Sequence, residues 1–125
     1  MTITFTSGIS FSGGVTVTAA PPPPQNTAGW FGGGNEAANS TSTVNRITYA
    51  TDTATASVRG PLSVGRHGLA AAGSTTDGWF GGGYSPYVSL VDRITYATDT
   101  DTASVRGPLS QTKFGLAAAS NISLA

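Results

Sequence analysis

One segment of this chain occurs twice. GWFGGG…VNRITYATDTATASVRGPLS…GLAAA, residues 29–72, returns as GWFGGG…VDRITYATDTDTASVRGPLS…GLAAA, residues 78–119. Trp30 recurs as Trp79, Arg46 as Arg93, Gly60 as Gly107 and Gly68 as Gly115. A period of about 47–49 residues marks a repeat architecture, in which one unit cannot bury its own apolar face and relies on a neighbour to cover it. Two units are few for such a scheme. The duplication therefore implies a chain that works within an assembly.

Composition narrows the class further. Six basic and six acidic groups balance, and no charged side chain precedes Glu36. A basic nucleic-acid footprint and an acidic tail are both missing. The chain has no cysteine, which excludes a disulfide scaffold and a thiolate metal site. With 10% charged and 38% hydrophobic residues, charge-driven disorder fits poorly and a turn-rich all-β chain fits well. No apolar run is long enough for a membrane span. Residues 1–14, MTITFTSGISFSGG, begin with Met1 and lack the basic and unbroken apolar regions of a signal peptide, so assembly without export is expected.

Residues 2–18 alternate apolar with small polar residues: Ile3 and Phe5, then Ile9 and Phe11, then Val15 and Val17. This period of two predicts a β-forming arm over residues 1–20, either an anchor or a donor strand. The six apolar side chains are candidates for oligomer contacts. Residues 21–28 form a proline-rich linker, whose PPPP run predicts a stiff polyproline II rod of roughly 12 Å. Two repeats then fill residues 29–125, at 29–67 and 68–114, with a spare strand at 115–119. Each repeat reads as four strands: GLAAA, GWFGGG, V(N/D)RITYA and T(A/D)TASVRG. The ATDT stretches at 50–53 and 97–100 predict hairpin turns, with Asp52 and Asp99 capping the turn backbone. The first repeat lacks a leading GLAAA and the second is followed by an extra one. Leu116 of that extra strand is thus another candidate oligomer contact.

These residues resemble kelch repeats. The glycine runs Gly32–Gly34 and Gly81–Gly83, the tyrosines Tyr49 and Tyr96, and the segments PLSVGRHGLAAA and PLSQTKFGLAAA carry the likeness over about residues 29–119. The tryptophan that kelch repeats place after the tyrosine is replaced here by a TAS run. The repeats are also similar to those of phage virion structural proteins of the marine type. The resemblance implies an all-β protein of two four-stranded, kelch-like blades, preceded by the extended arm. Since a propeller needs about four blades or more, it also implies a homo-oligomer, either a trimeric ring or a helical fibre, with strand exchange between subunits.

Each candidate site has a competing structural role. Trp30-Phe31 and Trp79-Phe80 could offer a platform for sugars, but packing between blades suits two aromatics in identical contexts better. The glycine runs lack the helix start and lysine of a phosphate loop, so close backbone approach is expected. His67, the single histidine, is matched by Phe114 in the second copy and has no nucleophile constellation in the sequence. Asp99 and Asp101 could approach a calcium ion, but turn carboxylates are expected. Arg46, Arg59, Arg93 and Arg106 are expected to pair with Asp52, Asp92 and Asp99. The loops after the glycines differ most between copies, and Tyr84 and Tyr87 are the candidate recognition residues there.

The expected function is that of a structural subunit in a multimeric assembly: a phage tail fibre, tail tip or capsid-decoration protein that presents a host-recognition surface. The alternative is an extracellular filament subunit polymerised by strand exchange. The expected partners are further copies of the chain, other virion proteins and a host glycan or protein. Enzyme activity, a cofactor, a metal, nucleic acid and membrane insertion are not expected.

Overall fold

The computed structural model describes residues 12–14, 18–21 and 25–121. The expected oligomer contacts Ile3, Phe5, Ile9, Phe11, Val15 and Val17, and three of the four linker prolines, lie outside the described residues.

The chain is all-β, with antiparallel sheets of three, two and four strands. The first sheet has the order β1 (Ala28–Gly32), β4 (Val44–Thr48), β5 (Ser57–Arg59). Between its first two strands a small hairpin joins β2 (Asn35–Glu36) to β3 (Asn39–Ser40). The four-stranded sheet has the order β6 (Ala70–Gly73), β7 (Asp77–Gly81), β8 (Val91–Thr95), β9 (Ser104–Arg106).

Sequence identity becomes identity of register. Trp30 pairs with Arg46 and Val44 with Arg59 in the first sheet; Trp79 pairs with Arg93 and Val91 with Arg106 in the second. The β-branched residues of V(N/D)RIT favour the pleated central strand. Both central strands end at a threonine, and Tyr49–Thr51 and Tyr96–Thr98 form single 3-10 turns. The tyrosines, expected within the V(N/D)RITYA strands, stand beyond the ladder instead, over Gly29 and Gly78. The outer strands stop at Gly60-Pro61 and Gly107-Pro108, where proline offers no N–H to continue pairing.

The core lies between the two sheets and draws on both. Val44 and Leu62 come from the first repeat; Phe80, Ile94 and Ala103 come from the second. Trp30, Leu69 and Tyr96 flank them. Phe80 is 3% exposed while its counterpart Phe31 is 61% exposed, because a sheet covers one and none covers the other. Burying such a ring stabilises by about 1.5–3 kcal/mol, a gain that a single repeat cannot reach alone. Of the four aromatics expected to pack between blades, Trp30 and Phe80 do so within one copy, while Phe31 and the half-buried Trp79 alternate onto the outer faces.

Residues Gly115–Ala119 repeat the sequence of β6 and its approach but belong to no sheet. Gly115 N–H donates to Gly68 O, and the Ser120 hydroxyl accepts from Gly73 N–H at 2.8 Å. This segment therefore lies close to β6. The half-buried Leu116 side chain reaches Gly82, as Leu69 reaches Gly33.

Candidate functional site

The seam between the sheets holds three of the four ion pairs among the described residues. Asp99, at the turn after β8, is 6% exposed. Its Oδ2 accepts from Trp30 Nε1 at 2.8 Å and from Arg46 Nη1 at 3.2 Å, and Arg59 Nε stands 3.5 Å away. The backbone joins in: Gly60 N–H donates to Asp99 O at 2.8 Å. Asp99 is thus a counter-charge for the neighbouring sheet rather than a cap on its own turn. Two cations and an indole N–H on its one carboxylate leave no role for calcium there, and Asp101 is exposed. Among the described residues no cluster of three or more His, Cys, Asp or Glu forms a metal site.

A second ion pair is fully enclosed. Arg66 Nη1 donates to Asp92 Oδ2 at 3.0 Å, and both side chains have no exposure. Arg66 Nη2 reaches Phe80 O, and Asp92 Oδ2 also accepts from Ser63 N–H, both at 3.0 Å. Breaking one side of such a pair strands a charge in the interior. Arg66 was not among the arginines expected to pair. A signal for it existed, because the two copies differ at both positions: Arg66 and Asp92 correspond to Lys113 and Asn45.

Arg93 takes a different partner from the expected ones. Its Nε lies 3.5 Å from Asp77 Oδ1 on the adjacent strand. The hydroxyls of Thr76 and Thr95 each donate to the Asp77 carboxylate at 2.7 Å. These two hydrogen bonds hold the Asp77 pKa below its usual value; partial burial opposes them, and Arg93 and Arg106 add smaller pulls in the same direction.

The glycine runs serve close approach, as expected. A side chain on Gly33 or Gly82 would run into the carbonyl of Arg66 or Lys113, and both glycines have positive φ. The connection that leaves each sheet folds back there, with Gly34 N–H on Arg66 O and Gly83 N–H on Lys113 O.

Tyr84 and Tyr87 do come together. Their rings meet edge-on at 4.9 Å, and Phe114 stands 6.1 Å from each. His67 closes the group, 5.4 Å from Tyr84 and 5.7 Å from Phe114. All three apolar rings are exposed. The group joins a loop with two connections, so sequence distance hid its fourth and third members. The Ser40 hydroxyl lies 2.9 Å from His67 Nδ1 and donates to Tyr84 O at 3.3 Å. No carboxylate orients the imidazole among the described residues, so this pair ties the β2–β3 hairpin to the connection.

A cleft of about 270 Å³ opens between β1 and β6, with Ala28, Trp30, Ala72, Gly73 and Ser120 on its walls. Among the described residues only β4 pairs with β1, so its other ladder edge has no partner there. No protein-family model matches the chain, and no curated protein sequence matches it.

Proposed function

We propose that this chain is a structural subunit of a homo-multimeric assembly, a phage virion protein of the tail-fibre, tail-tip or capsid-decoration kind. In this reading the two sheets are kelch-like blades and strand exchange completes the first of them. One observation carries it. Among the described residues the first sheet has three strands and an unpaired edge at β1, whereas the second has a fourth strand, β6, on the equivalent edge of β7. The sequence of that fourth strand recurs at Ala117–Ala119, outside any sheet.

The register follows from the second sheet, where Ala70 faces Gly81, Ala71 faces Phe80 and Ala72 faces Trp79. Ala117, Ala118 and Ala119 of one copy then face Gly32, Phe31 and Trp30 of the next. An unpaired strand edge favours such addition, since each new ladder bond satisfies backbone groups otherwise left to water. Residues 1–20 anchor the subunit to other virion proteins, and the exposed Tyr84 and Tyr87 face a host glycan or protein. The virion assignment draws on the resemblance of the repeats described above.

Negative-stain imaging of the purified chain tests this reading. Closed particles of threefold symmetry support the virion subunit, indefinite fibres favour the extracellular filament, and a stable monomer overturns both.

A further inference from the structure

The two outer faces of the sheet pair are unlike each other and complementary. Trp30, Val44, Arg46 and Arg59 point from the first sheet into the seam, so the pleat turns Phe31, Asn45 and Ile47 outward. In the second sheet Phe80, Asp92 and Ile94 point into the seam, so Trp79, Val91 and Arg93 face outward on the far side. Each outward residue is the repeat counterpart of one that the seam covers.

We infer that copies of this chain join head to tail through a second seam built like the internal one, with Asp52 of one copy receiving Trp79, Arg93 and Arg106 of another. The inference rests on the multimeric reading above and supplies its contact chemistry. Asp52 is the counterpart of Asp99 but is exposed, and Arg106, the counterpart of Arg59, forms no ion pair among the described residues. Tyr49, 57% exposed, takes the place of Tyr96 under the incoming indole of Trp79. Phe31 enters between Val91 and Leu109, as Phe80 packs with Val44 and Leu62.

Glycine marks the contact point. Gly60 lies so close to the carbonyl of Asp101 that no side chain fits, whereas a Cβ on Gly107 would meet nothing within 4 Å. A second sheet seated on this face brings its own turn, at Ala54, against Gly107. The faces match as a heterologous pair: one end cannot dock on a copy of itself, so growth runs in one direction and ends only by closing into a ring. The new seam differs from the internal one at two buried points: Asp77, which already stands 3.5 Å from Arg93, takes the place of Ala28, and the Arg66–Asp92 pair is replaced. Lys113 replaces Arg66 and meets Asn45 in place of Asp92. The side-chain oxygen of Asn45 and the Phe31 carbonyl are the acceptors for its ammonium.

Sedimentation velocity on the full-length chain tests the joint. Phe31→Asp spoils the head face and Gly107→Leu the tail face, each at an open position where the melting temperature should stay within a few degrees of the parent. Each variant alone should sediment as a monomer, while an equimolar mixture should give a one-to-one dimer, because each retains one intact face. Asp52→Asn should weaken association at least tenfold. Variants that associate like the parent, or a mixture that stays monomeric, would overturn the joint while the multimeric reading survives. A monomeric parent chain would overturn both.

Discussion

The rings of Trp30 and Tyr96 stack 4.0 Å apart and within 9° of parallel, and they belong to different repeats. The same indole donates from Nε1 to Asp99. One side chain thus contributes both apolar area and a charge-assisted hydrogen bond to the seam. Trp30→Ala should destabilise the chain by about 2–4 kcal/mol, as truncating a large, partly buried aromatic does. Urea unfolding followed by circular dichroism measures this, and a loss below about 1 kcal/mol would show that the stack contributes little.

Arg66 and Asp92 should behave as a unit. Asp92→Ala leaves a buried guanidinium without its carboxylate and should cost about 3–5 kcal/mol. Adding Arg66→Met to it should recover part of the loss, since an apolar side chain of about the same length as Arg66 needs no counter-charge. Thermal unfolding of the two variants under one buffer decides it. A double variant no more stable than Asp92→Ala would refute the coupling.

Equivalent glycines should respond differently. Gly60→Ala pushes a methyl group into the Asp101 carbonyl and should cost about 1–3 kcal/mol, the usual penalty of overpacking. Gly107→Ala meets open space within the subunit and should leave its unfolding free energy within about 0.5 kcal/mol of the parent. Denaturant titrations below the association concentration compare the two. Equal losses would contradict the seam geometry.

The β2–β3 hairpin turns through Ala37 and Ala38, both at positive φ, 46° and 70°. Apart from glycine, and asparagine or aspartate in part, residues adopt this region at a cost of roughly 1–2 kcal/mol each. Replacing the pair by Asn-Gly, the residues suited to a two-residue hairpin, should stabilise the chain by about 1 kcal/mol. A melting temperature that falls would count against the turn as described.

Burial raises the pKa of Tyr96 above its ordinary value, and the Asp77 carboxylate and Tyr49 push it the same way. Folding therefore favours the protonated phenol. The associated stability is fully present below the unfolded pKa, near 10, and is lost as pH rises beyond it. The chain should weaken above about pH 10, and Tyr96→Phe should flatten that alkaline limb. Urea midpoints between pH 8 and 11 would show it; an unchanged slope in the variant would refute it.

Much of the fold was legible because local pattern and tertiary outcome agree. The β-branched runs at 44–48 and 91–95 became central strands, and the Gly-Pro exits ended the outer ones. The close approach at the glycine runs was legible too, since positive φ and missing side chains have few other uses. Arginine partners for Asp99 are legible in the repeat, but only the facing sheet turns its carboxylate away from its own turn and onto Arg46, Arg59 and the Trp30 indole. The pairing of Arg66 is harder to read: its partner lies 26 residues away, and only the paired change to Lys113 and Asn45 hints at it. Tyr84 and Tyr87 stand out in the sequence, but His67 and Phe114 reach them through connections whose path no local pattern encodes.

The core drawn from both sheets has a consequence for synthesis. When Val44 and Leu62 leave the ribosome, the residues that will cover them do not yet exist. At about 5–20 residues per second, several seconds pass before Ile94 and Ala103 emerge. During that interval the first sheet is a three-stranded surface with Trp30, Val44 and Leu62 in water, and a chain cut after Gly73 should show no cooperative melt. Translation speed through residues 74–103 thus sets how long each nascent chain presents a sticky face to its neighbours on the same message.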